Sequence, residues 1–431
     1  MALHVMDEAN RCLGCKVPQC RKGCPISTPI PDVIRLLKDN KLDEAGRILF
    51  ENNPLTTVCS LVCNHENQCE GHCVLGRKGA PVHFSTIESY ISSTYASKMT
   101  AGPSPSNGIK AAIIGSGPAG LTIAVILSRY GYDVTIFEGK DKIGGVLRYG
   151  IPEFRLPKTR VVRPEIENVK KLGVKIETDV IIGKSVTIDE LMDEEGFKAV
   201  FIGSGAGLPK FMGIPGENAN GVFSANEYLT RSNLMKAFRD DYDTPIFLGK
   251  KVAVVGGGNV AMDAARTALR LGAEVHVVYR RSEAELPARV EEVHHAKEEG
   301  VQFDLLTNPV EILTDENDWV TGMVVRKMEL GEPDASGRRR PVEVEGSDYT
   351  IEVDTVIMSL GTSPNPLISS TTEGLQTNKW KCIIADESNG KTTKEGVYAG
   401  GDAVTGAATV ILAMEAGKAG AKGIDEYLSA K

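Results

Sequence analysis

Two glycine-rich turns, each lying between a strand-like and a helix-like segment, constrain the fold of this 431-residue chain most strongly. The predicted elements are strand 109–114, helix 118–130 and strand 132–137 around the first turn, and strand 251–255, helix 260–271 and strand 274–279 around the second. A strand, a helix and a second parallel strand form a βαβ unit. We therefore predict an α/β protein with two Rossmann-like domains, each built on a doubly wound parallel sheet.

Strand-like sequence returns after the second unit, at 350–360 and at 397–399. Its return suggests that one α/β domain is inserted into the other. We expect the outer domain over 109–222 and 350–431, and the inserted domain over 223–349. The basic run Arg338 to Arg340 lies beside Gly337 and Pro341 and is expected at a solvated hairpin tip.

The first glycine turn has the spacing of a dinucleotide-binding motif, with Gly115, Gly117 and Gly120. The first glycine permits the tight turn, the second lets the backbone approach a pyrophosphate, and the third lets helix and strand pack closely. Glu138 ends the second strand, where a carboxylate accepts hydrogen bonds from ribose hydroxyls. These features predict a site for an adenosine ribose.

The second glycine turn differs in the chemistry at the end of its second strand. The turn contains Gly256, Gly258, Asn259 and Val260, but the strand is followed by Arg280 and Arg281. Guanidinium groups pair with a 2′-phosphate, which a carboxylate would repel. The sequence therefore predicts NADP(H) at this turn.

The C-terminal part indicates FAD as the other cofactor. Gly401 and Asp402 follow the strand 397–399, and an Asp at this place can hold ribitol hydroxyls. The helix after Thr409 and Val410 can stabilise negative charge with its N-terminus. Gly361 supplies a turn where the chain is expected to re-enter the outer domain.

The cysteines are concentrated near the N-terminus, and only the ninth, Cys382, lies outside this region. The other eight are Cys12, Cys15, Cys20, Cys24, Cys59, Cys63, Cys69 and Cys73. Two groups of four thiolates can hold two zinc ions or two [4Fe–4S] clusters. Only Cys12 and Cys15 have the C-x2-C spacing of common zinc sites, so we favour two clusters in a helical domain over 1–108.

Charge and hydropathy exclude several classes of protein. The net charge of −8 argues against general nucleic-acid binding and gives no reason for attraction to membranes. No apolar run approaches the ~20 residues that cross a bilayer. The first residues lack a secretory signal, so we expect a cytoplasmic protein whose cysteines are reduced.

Taken together, these features resemble the NADPH-oxidising iron–sulfur flavoproteins. This family includes the glutamate synthase small subunit, the electron-input arm of dihydropyrimidine dehydrogenase and the large subunit of NADH-dependent ferredoxin:NADP oxidoreductase. The resemblance covers essentially the whole chain, and it implies a helical domain with two [4Fe–4S] clusters followed by FAD and NADPH domains arranged as in glutathione reductase. Its clearest segments are Arg11-Cys-x-x-Cys15, Glu51-Asn-Asn-Pro54, Gly144 to Pro157 (which includes Gly145), Gly256 to Asp263, and Ala399 to Asp402.

The resemblance also implies a division of the cluster ligands. One cluster takes Cys12, Cys15, Cys20 and Cys73, and the other takes Cys24, Cys63, Cys69 and Glu88. Cys59 would then be a neighbour and not a ligand, whereas simple counting of cysteines would give it the place of Glu88. Both alternatives stay open on the sequence.

The function implied is oxidation of NADPH by FAD, followed by electron transfer through two [4Fe–4S] clusters to a partner subunit. Hydride transfer to a flavin needs no side-chain acid or base, so we predict no catalytic residue. Residues 74–381 contain no cysteine, which excludes a redox-active dithiol beside the flavin.

The expected partners are a glutamate synthase large subunit, a dihydropyrimidine dehydrogenase catalytic subunit or a ferredoxin-reductase-type flavoprotein. An alternative of a different class is an NADP-binding redox module stabilised by zinc.

Overall fold

The computed structural model describes residues 2–98, 102–333, 335 and 337–430. The α-helices are α1 (Ala2–Asn10), α2 (Gln19–Lys22), α3 (Ile30–Lys38), α4 (Leu42–Asn52), α5 (Thr56–Val62), α6 (Phe84–Tyr95), α7 (Pro118–Arg129), α8 (Val146–Tyr149), α9 (Arg163–Lys171), α10 (Ile188–Asp193), α11 (Ala225–Asn233), α12 (Asn259–Arg270), α13 (Val290–Glu299), α14 (Leu367–Ser370), α15 (Asp402–Thr405) and α16 (Val410–Ser429). Short 3-10 turns are His65–Asn67, Val74–Arg77, Ala96–Lys98 and Glu283–Glu285, and Lys158–Val162 is a π-helical turn.

The strands are β1 (Lys110–Ile114), β2 (Asp133–Phe137), β3 (Lys175–Glu177), β4 (Ala199–Ile202), β5 (Leu208–Pro209), β6 (Val222–Ser224), β7 (Lys251–Val255), β8 (Glu274–Tyr279), β9 (Gln302–Leu305), β10 (Thr307–Thr314), β11 (Val320–Pro333), β12 (Arg339–Glu343), β13 (Tyr349–Ile351), β14 (Thr355–Met358), β15 (Thr362–Ser363) and β16 (Val397–Ala399). The chain divides into two compact units. The first comprises Met1–Arg148, Glu153–Gly207 and Ser363–Lys431, and the second comprises Tyr149–Pro152 and Leu208–Thr362.

The N-terminal part of the first unit is helical, and its described residues 2–98 contain no strand. Apolar residues recur three and four positions apart along α3 and α4, which gives each helix one apolar face. These faces form one core with α1 and α6, in which Val33, Leu49 and Ile87 are fully buried. Ala101, the first residue of the glycine- and proline-rich segment before the α/β part, lies outside the described residues.

The rest of the first unit is built on a parallel sheet with strand order β16-β4-β1-β2-β3. The glycine turn joins β1 to α7, and α7 packs against the long C-terminal helix α16. All of its strands are short, and β1, β2, β4 and β16 are apolar and almost fully buried, as is typical of a sheet covered on both faces. The sheet therefore places the first glycine turn and Gly401 at the carboxyl ends of its strands.

The second unit contains a parallel sheet of order β6-β14-β7-β8-β9 and an antiparallel sheet formed by β10, β11, β12 and β13. Strand β14 pairs with β6 and β7, so Thr355–Met358 belongs to the second unit. This placement differs from the expected return to the outer domain at residue 350. The compact second unit also extends from Leu208 to Thr362, beyond the segment 223–349 expected for the inserted domain.

The α/β class and the two doubly wound parallel sheets predicted from the sequence are present. Arg339 and Arg340 begin β12 and are exposed, in agreement with a solvated hairpin, although Arg339 Nε also donates to Glu285 Oε1 at 3.0 Å. Among the described residues, no helix is both long and apolar enough to cross a membrane.

Candidate functional site

The first glycine turn has space where a pyrophosphate would lie. Gly115 has a φ of +97°, and a Cβ there would lie 2.5 Å from Gly203 O. A Cβ on Gly120 would lie 1.9 Å from Gly115 O, so this glycine is required by packing inside the protein. Gly117 is different: its φ of −72° suits any residue and nothing lies within 4 Å of its Cβ position. The open space beside Gly117 fits a ligand that approaches the backbone closely.

Glu138 lies at the edge of this space. It is 8% exposed, and its Oε2 accepts hydrogen bonds from the backbone N–H and the hydroxyl of Ser116. Its Oε1 accepts the N–H of Lys140 at 3.0 Å. A carboxylate has about four acceptor sites, so the fixed side chain retains capacity for a ribose hydroxyl. Ser116, which orients it, was not singled out by the sequence.

The loop containing Gly145 packs onto the same turn. A Cβ on Gly145 would lie 2.7 Å from Gly117 Cα, and the N–H of Gly144 donates to Ser116 Oγ at 2.9 Å. The structure thus brings Gly145 to the first glycine turn, as expected for one binding site.

Asp402 and Thr409 lie at the starts of two C-terminal helices. Asp402 begins α15, directly after Gly401, whose φ is +66°. Burial raises the pKa of Asp402 to about 6, and the N–H of Ala408, which donates to Oδ1 at 3.2 Å, acts in the opposite direction. Thr409 caps α16 by accepting the N–H of Leu412, which leaves the N–H groups of the first turn, including that of Val410, available to a ligand. These groups fit FAD.

The second glycine turn repeats the geometry of the first. Gly256 has a φ of +133° and faces Ser359 O, whereas Gly258 has a φ of −89° and open space at its Cβ position. Asn259 Oδ1 accepts the N–H of Arg289 at 2.9 Å, and Val260 is 45% exposed at the start of α12. Gly361 lies near the end of the second unit with a φ of +89°.

The two arginines after β8 have different surroundings. Arg280 is exposed, whereas Arg281 is 7% exposed. The sequence treated them as equivalent partners of a 2′-phosphate, and their burial now separates them. Arg280 has the exposure that a phosphate-binding guanidinium needs.

The structure brings together the first group of cysteines. Cys12, Cys15, Cys20 and Cys73 line one cavity, which Cys69 also lines. Burial raises the pKa of the Cys20 thiol to about 11, and Cys73, Cys12 and Cys15 add to the shift. Four thiols that interact around one cavity fit an iron–sulfur cluster.

The second group contains Cys24, Cys63, Cys69 and Glu88. Burial raises the pKa of Cys24 and Cys69, and Glu88 adds to both shifts. For Cys63 the thiol of Cys59 is the largest cause of a raised pKa, followed by burial, with Glu88 and Cys69 contributing. Glu88 is 4% exposed, and burial raises its pKa to about 8 although Thr56 Oγ1 donates to it at 2.7 Å. Glu88 is therefore buried and close enough to Cys24, Cys63 and Cys69 to interact with each of them electrostatically.

Cys59 also lies beside this group but contacts another part of the chain. Its Sγ donates to Met414 Sδ on α16 at 3.6 Å. Cys59 thus interacts with Cys63, and Glu88 interacts with Cys24, Cys63 and Cys69, so the choice of the fourth ligand stays a prediction.

Among the described residues, no group of three or more His, Cys, Asp or Glu side chains is placed so that it could hold a single metal ion.

Several contacts that the sequence did not suggest join the helical part to the α/β part of the first unit. Arg129 donates to the carbonyl oxygens of Phe50 and Glu51 at 3.2 Å. Glu165 Oε1 accepts the N–H of Thr57 at 2.8 Å. The partners in these contacts are distant in sequence, so no local pattern predicts them. The one available signal was that Thr57 closely follows Glu51-Asn-Asn-Pro54, a segment that carries the family resemblance.

Comparison with known families gives two matches. A family model described as pyridine nucleotide-disulphide oxidoreductase matches residues 109–417. A model described as dihydropyrimidine dehydrogenase domain II, 4Fe-4S cluster, matches residues 2–100. The predictions of FAD, NADP(H) and 4Fe–4S as cofactors, and of an NAD(P)H-dependent oxidoreductase, are confirmed by these matches.

Relatives with similar sequences include two described subunits. The small chain of the NADPH-dependent glutamate synthase of Escherichia coli is 35% identical over 98% of this chain and 91% of its own length. The subunit beta of the NADP(+)-dependent formate dehydrogenase of Moorella thermoacetica is 37% identical over 95% of this chain and 60% of its own length. The chain thus spans only 60%, 63% and 66% of the length of three of the curated relatives that it matches.

A solved structure supports the fold. FprA of Mycobacterium tuberculosis in complex with NADPH has a TM-score of 0.64 and 19% identity, covering 76% of this chain and 85% of FprA. Together with the glycine turns and the cysteine groups, these comparisons show that the chain belongs to the pyridine nucleotide-disulphide oxidoreductases and, among them, to the NADPH-dependent iron–sulfur flavoproteins related to the glutamate synthase small chain.

Proposed function

We propose that this protein takes electrons from NADPH and passes them through FAD and two [4Fe–4S] clusters to a partner subunit. The observation that carries the proposal is a direct contact, made by a cysteine beside the second cysteine set, between the helical part and the flavin-binding part of the same compact unit. Cys59, four residues before Cys63, contacts Met414 on α16, the helix that Thr409 caps. An electron leaving the flavin site therefore has a short path into the helical part.

When bound, FAD accepts hydride from NADPH and the clusters carry electrons one at a time. The chain's own residues supply binding and orientation. Glu138 holds the adenosine ribose, Asp402 holds the ribitol, and the N-terminus of α16 stabilises negative charge on the ring system. Arg280 pairs with the 2′-phosphate of NADPH.

For the helical part, we assign one cluster to Cys12, Cys15, Cys20 and Cys73 and the other to Cys24, Cys63, Cys69 and Glu88. The second set lies nearer the flavin-binding part, since its neighbour Cys59 touches α16. The first set therefore delivers electrons to the partner.

The surface around the first set suits a partner with acidic groups. Leu13 and Val17 are 64% and 60% exposed between its cysteines. Lys16, Arg21 and Lys22 are exposed beside them and form no ion pair with any described residue. In a chain of net charge −8, this local group of cations would attract an acidic surface. By its similarity to the glutamate synthase small chain, the partner we favour is a glutamate synthase large subunit.

The proposal is tested by exchanging single cysteines in the complete protein. Cys24→Ser should damage one cluster while NADPH still bleaches the flavin, and Cys382→Ser, a buried cysteine outside both sets, should retain all iron. Iron and acid-labile sulfide analysis with anaerobic NADPH titration gives both readouts. A colourless protein containing zinc would overturn the proposal.

A further inference from the structure

A chain of hydrogen bonds runs from helix α16 to the sulfur of Cys24. Lys418 Nζ donates to Asn52 Oδ1 at 2.8 Å. Asn52 Nδ2 donates to Thr28 Oγ1 at 3.2 Å. Thr28 Oγ1 lies 3.3 Å from Cys24 Sγ. Thr28 is 3% exposed, so water does not compete for its hydroxyl.

The direction of this chain is fixed by its first member. An ammonium group has donors only, so Lys418 requires the carbonyl oxygen of the Asn52 side chain and turns the amide N–H groups toward Thr28. Thr28 Oγ1 accepts one of these, and because a thiolate bound to a cluster has no proton to give, the single O–H of Thr28 donates to Cys24. Every donor in the chain thus points toward the sulfur.

We propose that Lys418, Asn52 and Thr28 act as a polarised donor chain that raises the reduction potential of the cluster bound by Cys24. The inference rests on the proposed function, because it needs a cluster at this site. Hydrogen bonds to the sulfurs and nearby charge are the means by which a protein sets the potential of such a cluster. A reduced cluster carries one more negative charge, and donors aimed at its sulfur stabilise that state most.

The position of this hydrogen-bond chain explains how it could serve electron transfer. Lys418 lies on the helix whose first turn is at the flavin site, and Cys24 belongs to the cluster set nearer to that helix. Raising the potential of this cluster favours one-electron transfer out of the flavin. Backbone N–H groups of Ile26 and Thr28 also act on Cys24 and lower the pKa that burial raises.

A purely mechanical role has to be separated from this one. Lys418 also donates to the backbone oxygen of Asn52 at 3.0 Å, and Arg129 donates to the preceding carbonyl oxygens of α4. Both cations therefore dock α4 on the α/β part. Of the two cations, only Lys418 is connected to Cys24 through hydrogen bonds. Arg129→Gln is therefore the matched control for docking.

The decisive variant is Asn52→Asp. Aspartate keeps the shape and strengthens the contact with Lys418, so docking is preserved. It has no N–H to offer, so the Thr28 hydroxyl turns toward Asp and stops donating to Cys24. The proposal predicts that the potential of one cluster falls although docking improves.

The experiment is a redox titration of the complete protein followed by EPR, with the affected cluster assigned from the signal that Cys24→Ser changes. Asn52→Asp and Thr28→Val should each shift the one-electron equilibrium of that cluster about tenfold toward the oxidised form, which is about 59 mV. Thr28→Ser and Arg129→Gln should leave both potentials unchanged.

Unchanged potentials in Asn52→Asp and Thr28→Val, with full iron content, would overturn the inference and leave the proposed function intact. An equal shift in Arg129→Gln would also overturn it, since docking alone would then move the potential. If Asn52→Asp loses iron, the comparison of Thr28→Val with Thr28→Ser decides. Absence of iron from the unmodified protein would instead refute the proposed function itself.

Discussion

The carboxylate of Glu165 accepts the backbone N–H of Thr57 at 2.8 Å and so joins α9 of the α/β part to the start of α5 in the helical part. Glu165 is 1% exposed. Burial raises its pKa to about 8, hydrogen bonds from Thr57 and Val58 oppose the shift, and Glu88 adds to it. Its Oε2 has no hydrogen-bond partner within the described part of the chain. The contact is therefore suited to the neutral acid.

The raised pKa predicts a pH-dependent stability that Glu165→Gln removes. The pKa is about 4.5 for an ordinary Glu and about 8 in the folded protein, so the folded state binds more protons between these values. The contribution of Glu165 to the free energy of unfolding is then highest below the lower pKa. It falls, by up to about 1.4 kcal/mol per pH unit, as the pH rises toward the upper pKa. Glutamine is neutral throughout and still accepts the Thr57 N–H.

Thermal unfolding of the complete protein at pH 5.5 and pH 8.5 measures this difference. The loss of stability between the two pH values should be smaller in Glu165→Gln than in the parent. Glu190→Gln, an exposed carboxylate on α10, serves as the control and should keep the parental difference. An identical loss in both variants would show that Glu165 does not titrate in this window.

The open space beside two glycines predicts cofactor-specific defects. Gly117→Ala places a methyl group where only a ligand would meet it, so the chain should fold but bind FAD more weakly. Gly258→Ala should keep FAD and weaken NADPH binding. Overpacking by one methyl group costs about 1 to 3 kcal/mol, which is roughly a five- to 150-fold loss of affinity.

Gly120→Ala provides the contrast, because its Cβ would overlap Gly115 O inside the protein. This variant should be destabilised in its folding, not only in FAD binding. Far-UV circular dichroism and FAD content, measured on all three, separate the two kinds of defect. Loss of folded structure in Gly117→Ala would contradict the ligand interpretation.

The sequence predicted the βαβ units well because their signals are local. The helix expected over 118–130 is found at Pro118–Arg129, and the strand expected over 274–279 is found at Glu274–Tyr279. Alternation of glycine turns, apolar strands and amphipathic helices is sufficient for such elements.

Pairing between distant segments was not predictable in the same way. The apolar pattern of Thr355–Met358 indicates that the strand is buried but not which sheet it joins. In the structure it pairs with β7, in the parallel sheet of the second unit. Likewise, Lys418 and Asn52 are 366 positions apart, and neither has a sequence pattern that marks the other. The difference in burial between Arg280 and Arg281 also depends on packing around β8, which the adjacent residues in the sequence do not reveal.

That difference predicts separate roles for the two arginines. Arg280→Ala should lose a charge-assisted contact of about 1.5 to 3 kcal/mol, and so roughly ten- to 100-fold in kcat/KM for NADPH, with little change for NADH. Arg281→Ala removes a buried side chain and should lower the thermal stability more than Arg280→Ala does. Steady-state kinetics with both nucleotides and an artificial acceptor, together with thermal unfolding, check both statements. An unchanged nucleotide preference in Arg280→Ala would remove this residue from the NADPH site.

The identity of the fourth ligand to the second cluster gives the last prediction. Glu88 is buried and interacts electrostatically with Cys24, Cys63 and Cys69, whereas Cys59 interacts with Cys63 and contacts Met414. We expect Cys59→Ala to retain both clusters and Glu88→Ala to lose iron from one. Because a carboxylate is a harder ligand than a thiolate, Glu88→Cys should keep four irons at the site but move its potential.

Quantitative iron analysis and redox-titrated EPR on these three variants decide between the two ligands. The contact of Cys59 with Met414 also provides an internal check, because Met414→Leu removes the sulfur partner and leaves Cys59 in place. If Cys59 only packs against α16, Met414→Leu should retain both clusters, as Cys59→Ala does. Loss of a cluster from Cys59→Ala together with full iron in Glu88→Ala would give the ligand position to Cys59, since the carboxylate would then be a buried neighbour that the cluster does not need.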